Sequence, residues 1–359
     1  MAATGSLAGY HVQSLDLTDC TFTLLATETA DSVFLGCARE PDAAAKVRAG
    51  GALVFPPVPG LPFDPYRGTL YTPDELFSGL LDAGYDTTLD ARAYRWYQET
   101  KAVGDVVAGM LRSIHDDAVS DALDGHLAGA RAVGILGGHA MERGSAAYAG
   151  AARLGRRLSR GGLTVATGGG PGAMEAANFG AYTAPFEDAM LDKALELLAQ
   201  APHFRLSVTT WAGAAFEVLR ARPGGGQSVA MPTWFYGHEP PNAFATHIAK
   251  YFVKTLREEG LLARSNAGVV FLPGAAGTVQ ELFDAATLNY YRSHGAPTPM
   301  VLVNREHWTE TLPAWPLLRP LAADQAMEPR IALVDSVDDA PEALIRVSPD
   351  ETNRGDLPS

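Results

Sequence analysis

The chain has 359 residues, 47% of them hydrophobic, and a formal net charge of −13. That is enough apolar material for a large α/β domain with a smaller companion, while the charge disfavours nonspecific binding to nucleic acid or to an anionic membrane. Two cysteines, Cys20 and Cys37, make no disulfide framework and fit a reducing cytoplasm. No signal-peptide pattern, bilayer-length apolar run or metal-type Cys/His spacing is present, so the expectation is a cytoplasmic protein without metal or membrane contact.

Residues 1–104 differ from the rest. Short β-rich runs at 21–25 and 32–37 precede a proline-rich stretch at 55–62, which together read as a small mixed extension of unreadable role. A helix is expected over 105–127, where Val106, Val107, Met110, Leu111, Ile114 and Val119 recur at helical spacing. From residue 132 strand and helix alternate. Strands are expected at 133–136, 163–166, 228–231, 268–272, 300–303 and 331–334. Helices are expected at 146–158, 173–182, 187–200, 214–221 and 243–262, and from a glycine turn near 274 to 292. A short strand is expected within 205–222. This alternation over 105–347 implies a doubly wound parallel sheet of Rossmann-like type with helices on both faces. The polar tail 348–359 is expected to be disordered.

Two glycine-rich segments fall where a strand runs into a helix. The first is Thr167-Gly168-Gly169-Gly170-Pro171-Gly172-Ala173-Met174-Glu175, and the second is Leu272-Pro273-Gly274-Ala275-Ala276-Gly277-Thr278-Val279-Gln280-Glu281. A strand, a glycine turn and a helix N-terminus together make an anion site, because unpaired N–H groups converge there and the helix dipole adds positive potential. Two such turns at the carboxyl ends of parallel strands point to a nucleotide held in a crevice. Each segment also has a purely structural reading. Thr278-x-x-Glu281 has the form of a capping box, the first turn could be a tight connection only, and Met174 could be core. Glu175 is either a crevice acid or a residue favoured by the helix dipole. Of the scattered histidines His139, His203, His238, His247 and His294, only His139 follows a strand end, after Gly137-Gly138.

The pair of motifs resembles the Lonely-guy (LOG) family of nucleotide phosphoribohydrolases, often mislabelled as lysine decarboxylases. Gly168 to Met174 matches that family's GGGxxGxM signature, and Pro273 to Glu281 its PGGxGTxxE signature with Ala275 in place of the second glycine. The resemblance covers about 130–322, and Glu239-Pro240-Pro241-Asn242 looks most like the larger bacterial members that act on nucleoside monophosphates.

The resemblance implies catalysis by Glu281 and by Arg257, on the helix before the second motif. It implies phosphate binding by Gly274, Ala275, Ala276, Gly277 and Thr278. Base and ribose contacts would come from Gly137, Gly138, Gly168, Gly169, Gly170, Gly172, Met174 and Glu175. No cofactor is implied, and no lysine lies in either motif to support pyridoxal chemistry. The expected ligand is a nucleoside 5′-monophosphate, cleaved to free base and ribose 5-phosphate. The alternative is a nucleotide sensor or carrier without turnover, which Ala275 favours. A homodimer is expected from the apolar residues Ile248, Tyr251, Phe252, Val253 and Leu256 on the helix assigned to 243–262.

Overall fold

The computed structural model describes residues 5–235, 239–292 and 294–348. The expected tail beyond 348 and His238 lie outside these residues.

The N-terminal part is a small parallel coil. Strands β1 (His11–Gln13), β2 (Val33–Leu35) and β3 (Leu53–Phe55) pair side by side in register, with His11 against Val33 and Val33 against Leu53. Parallel strands cannot be joined by a tight hairpin, so each connection must cross over. Helices α1 (Thr21–Ala26) and α2 (Pro41–Ala49) make those crossovers. Residues 21–25 are therefore helical and not a strand, because topology overrides their β propensity. Phe34, Leu24, Ala43 and Val47 form a core separate from that of the main domain.

The next segment packs into the main core. It comprises α3 (Pro73–Leu76), α4 (Leu80–Ala83) and α5 (Leu89–Ala102). Phe63, Leu76, Phe77 and Tyr97 join one apolar cluster with the large sheet. The two apolar clusters therefore part between Val54 and Phe63. Helix α6 (Val106–Leu127) follows as the apolar spacing predicts, but Val106, Val107 and Met110 are exposed, and the buried stripe runs through Ala108, Leu111, His115, Val119 and Leu123.

The main sheet has seven parallel strands: β4 (Ala132–Leu136), β5 (Thr164–Thr167), β6 (Ser228–Ala230), β7 (His247–Ile248), β8 (Gly268–Phe271), β9 (Met300–Val303) and β10 (Ile331–Val334). Their order is β10-β9-β8-β4-β5-β6-β7. The chain winds one way from β4 to β7, then returns to the other side of β4 with β8. The switch point thus lies between β4 and β8, which pair directly from Val133–Gly268 to Leu136–Phe271. In open α/β sheets a ligand crevice forms beyond the carboxyl ends of the strands at such a point.

Helices α7 (Ala146–Arg160), α8 (Ala173–Thr183), α9 (Asp188–Leu198) and α10 (Val208–Ala221) precede β6. Helix α10 leaves no strand within 205–222; Ser207 caps it by accepting from the Thr210 N–H. Helices α11 (Lys254–Arg264), α12 (Ala276–Tyr290), α13 (Trp315–Ala322) and α14 (Ala340–Val347) complete the fold.

The long helix expected over 243–262 begins only at Lys254. The Asn242 side chain accepts the N–H groups of Phe244 and Ala245, and His247–Ile248 adds to the sheet edge. Ile248, Tyr251 and Phe252 are accordingly buried within the chain's own core, and only Val253 and Leu256 are partly exposed. Three of the five residues on which a homodimer was expected are thus used internally. Among the described residues no helix is long and apolar enough to cross a membrane.

Candidate active site

A cleft of about 1010 Å³ opens at the switch point. Its walls are the end of β4 with Gly137, Gly138 and His139, the start of α8 with Met174, the β8–α12 turn from Pro273 to Thr278, and the α11 side chains Lys254, Arg257 and Glu258.

The second glycine turn sits at the cleft wall. Helix α12 starts at Ala276 with Ala275 as N-cap, and no side chain caps it. Thr278 is therefore the third helical residue and cannot cap the helix from outside, so the capping box does not form. Ala276, Gly277 and Thr278 form the first turn of α12 and line the cleft, and the N–H groups of a first turn have no partner within the helix, which offers an anion a donor cluster reinforced by the helix dipole. Gly274 is required here by contact, since a β-carbon would collide with Thr278 Oγ1 and stand 3.0 Å from its Cγ2. Its N–H donates to His307 Nε2 at 3.3 Å. Ala275 has φ −112° and ψ −151°, an extended conformation that alanine adopts without strain.

The first glycine turn is clamped from behind. Thr167 Oγ1 accepts the Gly169 N–H at 3.0 Å, and the Gly169 carbonyl accepts the Asn242 N–H at 2.8 Å. Asn242 Nδ2 donates to Asn178 Oδ1 at 3.0 Å, and Thr167 Oγ1 donates to the same oxygen at 2.6 Å. This network of buried side chains carries the 239–242 segment to the cleft, where Glu239 Oε1 lies 3.4 Å from His139 Nδ1. Gly168 leaves the space that the Arg257 guanidinium occupies, because a β-carbon there would collide with Nη2.

Arg257 and Glu281 meet in the cleft. Arg257 Nη1 donates to Glu281 Oε1 at 2.7 Å, Nε donates to the Met231 carbonyl at 2.8 Å, and Nη2 lies 3.4 Å from the Gly168 carbonyl. Arg257 is 7% exposed and Glu281 8% exposed, so Arg257 is no surface arginine. Burial pushes the Glu281 carboxyl above the usual glutamate range, and the Arg257 guanidinium pulls it back toward the anion.

Of the residues expected to surround the base and ribose, Gly137, Gly138 and Met174 line the cleft, and Gly168 touches Arg257 from behind. Glu175 does not line it: its carboxylate forms a buried ion pair with Arg143, whose Nε is 3.1 Å from Glu175 Oε2. Gly169 and Gly170 are held by Asn242, and Gly172 turns the chain at φ +74° into α8.

The motifs alone do not single out Lys254, Glu258, Gln280 or His307. Lys254 and Glu258 flank Arg257 at helical spacing on one face of α11, a signal available once Arg257 is named. Lys254 Nζ lies 3.3 Å from Glu258 Oε1 and donates to Gln280 Oε1 at 2.9 Å. His307 follows β9, about thirty residues beyond the motif, and no local pattern marks it. Among the described residues no cluster of acidic, histidine and cysteine side chains could hold a metal ion.

Fold and cleft together define a doubly wound α/β protein with an uncapped helix N-terminus and a buried Arg–Glu pair at its switch point. Residues 219–347 match the family described as "Possible lysine decarboxylase", in agreement with the resemblance to the LOG family that the two motifs carry. The match takes in Arg257 and the second motif; the first motif lies before it. No curated protein matches the chain significantly. A decarboxylase of the kind named would hold pyridoxal phosphate on a lysine amine. The cleft lysine does not fit that role, because Lys254 is bound to Glu258 and Gln280 on the wall.

Proposed function

We propose that the protein hydrolyses the N-glycosidic bond of a nucleoside 5′-monophosphate, releasing the free base and ribose 5-phosphate. The observation that carries this reading is the Glu281 carboxylate, buried and oriented by Arg257, one helical turn beyond the open N–H groups of α12.

The α12 N-terminus and Thr278 take the 5′-phosphate. Gripping this remote group converts binding energy into placement of C1′. As the C1′–N bond breaks, its electron pair leaves with the base and positive charge develops on the ribose ring. Glu281 stabilises that charge and accepts a proton from the attacking water, whose oxygen bonds to C1′. A carboxylate raised by burial is a stronger base than a solvated one. Arg257 spends its donors on Glu281, Met231 and Gly168, so its part is to hold Glu281 anionic and oriented, and the departing base takes its proton from solvent.

The unstrained backbone of Ala275 removes one physical argument for a degenerate, non-catalytic binder. The test is incubation of the pure protein with a panel of nucleoside monophosphates and the matching nucleosides, with chromatographic separation of the products. Release of base from a monophosphate much faster than from its nucleoside supports the reading. Equal turnover of both removes the phosphate assignment. Tight nucleotide binding without product leaves the sensor or carrier.

A further inference from the structure

We propose that Asp116, fully buried on α6 and outside the cleft, is a positioning residue that sets the start of α11 and thereby the place of Arg257. The proposal rests on the reading of Arg257 and Glu281 as the working pair.

Helix α11 has no cap of its own: Val253 stands at its N-cap position and no side chain there takes a first-turn N–H. The anchor comes from another helix. Asp116 Oδ1 and Oδ2 accept the Phe252 N–H at 2.9 and 3.1 Å, and Oδ2 accepts the Val253 N–H at 2.8 Å. These are the residues immediately before Lys254, and Arg257 lies on the first turn they launch. An acceptor at this point both satisfies donors that would otherwise be orphaned and fixes the axial position of the helix.

Asp116 is itself held rigidly. His115 Nδ1 lies 3.1 Å from Asp116 Oδ1, and His115 Nε2 lies 2.8 Å from Tyr71 Oη. Burial pushes the His115 imidazole down and the Tyr71 phenol up. Both are therefore neutral at physiological pH, and only one proton arrangement satisfies the chain. Tyr71 O–H donates to Nε2, and Nδ1–H donates to the carboxylate. Phe63, Trp234 and Phe252 enclose the imidazole at ring-centroid distances of 5.2, 5.7 and 5.1 Å. The charged groups that act on His115 and Tyr71 are Asp116 itself, Arg67, Asp64 and Glu75.

The grip extends along one stripe of α6. Ser120 Oγ lies 3.3 Å from Tyr251 Oη, and Asp124 binds Arg264 through contacts of 2.7 and 2.9 Å. Asp116, Ser120 and Asp124 recur every four residues, which places them on one helical face. Both ends of α11 are thus tied to α6, and the N-terminal tie is the buried one. A displacement of about 1 Å in a catalytic side chain can lower turnover by about 10²-fold.

The experiment compares the native protein with Asp116→Asn, which keeps volume but loses the charge and one acceptor. Glutamate carboxyl carbons are labelled with ¹³C, and the Glu281 signal, assigned with Glu281→Gln, is titrated by NMR. Its environment includes Arg257, Glu258 and Asp284. If Asp116 places Arg257, the Glu281 midpoint rises in Asp116→Asn as the guanidinium moves off. Turnover of a nucleoside monophosphate falls about tenfold or more with little change in KM. A folded variant with an unmoved Glu281 midpoint overturns the proposal. Should Asp116→Asn fail to fold, Tyr71→Phe decides: it frees His115 Nε2 while leaving the carboxylate, so a smaller rise supports the proposal and an unmoved midpoint overturns it. The titration needs no turnover. A midpoint that moves in a protein that cleaves no nucleotide therefore keeps the positioning role and removes the hydrolase reading.

Discussion

Arg257 Nη1 and Glu281 Oε1 stand 2.7 Å apart, and the same guanidinium reaches back to the Gly168 carbonyl at 3.4 Å. This one side chain joins the two glycine motifs, about a hundred residues apart in sequence, into a single cleft. Glu258 Oε1 lies 3.8 Å from the same Nη1 and 3.3 Å from Lys254 Nζ, so removal of Arg257 would leave Glu281 as the uncompensated buried charge while Glu258 keeps Lys254.

Glu281→Gln is expected to lower turnover by roughly 10² or more, since the amide cannot stabilise the developing positive charge or take the water proton. Gln can still accept from Arg257 Nη1, and Glu258 remains as a counter-charge, so melting should fall only modestly. Because the carboxylate is the working form, native activity should decline on acidification at a pH above the ordinary glutamate range. Calorimetric melting and a pH–rate profile check both points. Full activity in Glu281→Gln would return Glu281 to a structural role.

Gly168→Ala tests the room made for the guanidinium. The added methyl would meet Arg257 Nη2 and lie 2.9 Å from Met174 Sδ. Arg257 must then turn away, and turnover should fall by about tenfold or more through misorientation of Glu281. Nucleotide affinity should change less, because the phosphate end of the cleft is built from the start of α12 and the added methyl meets Arg257 and Met174 instead. A rate equal to native would show that Arg257 does not need its present position.

Much of the sheet and of the cleft is legible in the amino-acid sequence. Strand runs at 133–136, 268–271 and 300–303 are short, apolar and bounded by glycine or proline, and the sheet uses them as expected. The two glycine turns stand out by composition. Other expectations fail where the neighbouring structure decides. Residues 243–253 have helical spacing, but the Asn242 side chain and the sheet edge claim their N–H groups. Residues 21–25 have β propensity, but a parallel crossover needs a helix there. Thr278 and Glu281 have capping-box spacing, but α12 begins two residues before Thr278. Glu175 is placed by its motif to face the crevice, and Arg143, thirty-two residues earlier, draws it into the core. A single sequence shows which groups could pair and not which partner arrives.

Acid should destabilise the fold through one buried and two half-buried histidines. His126 at the end of α6 and His247 on β7 have ring centroids 3.9 Å apart. Burial lowers both below the ordinary histidine value, and His126 further lowers His247. His115 is lowered by full burial despite Asp116. A folded-state value below the unfolded one means that the unfolded chain binds more protons. The stability is then fully present above the unfolded value of about 6.5 and is lost as pH falls through and below it. Melting temperature should drop between neutral pH and about pH 5.5, and His247→Gln should flatten part of that slope. A flat profile in the native protein would contradict the sign.

Ala275→Gly addresses the one departure from the motif. Glycine in this place could serve a backbone with positive φ or a close approach of phosphate. The first need is absent, because Ala275 has φ −112°, and glycine there would chiefly add freedom to the unfolded chain at a cost of up to about 1 kcal/mol. The second need is met in part by geometry, since Ala275 is the N-cap and the donors that face the cleft belong to Ala276, Gly277 and Thr278. The substitution should therefore change the affinity for a nucleoside monophosphate only a few-fold and lower melting slightly. Calorimetric titration of both forms measures the first, and scanning calorimetry the second. A gain of a hundredfold or more in Ala275→Gly would mean that the Ala275 methyl blocks the phosphate, and that the native turn does not hold the ligand in the way its N–H groups imply.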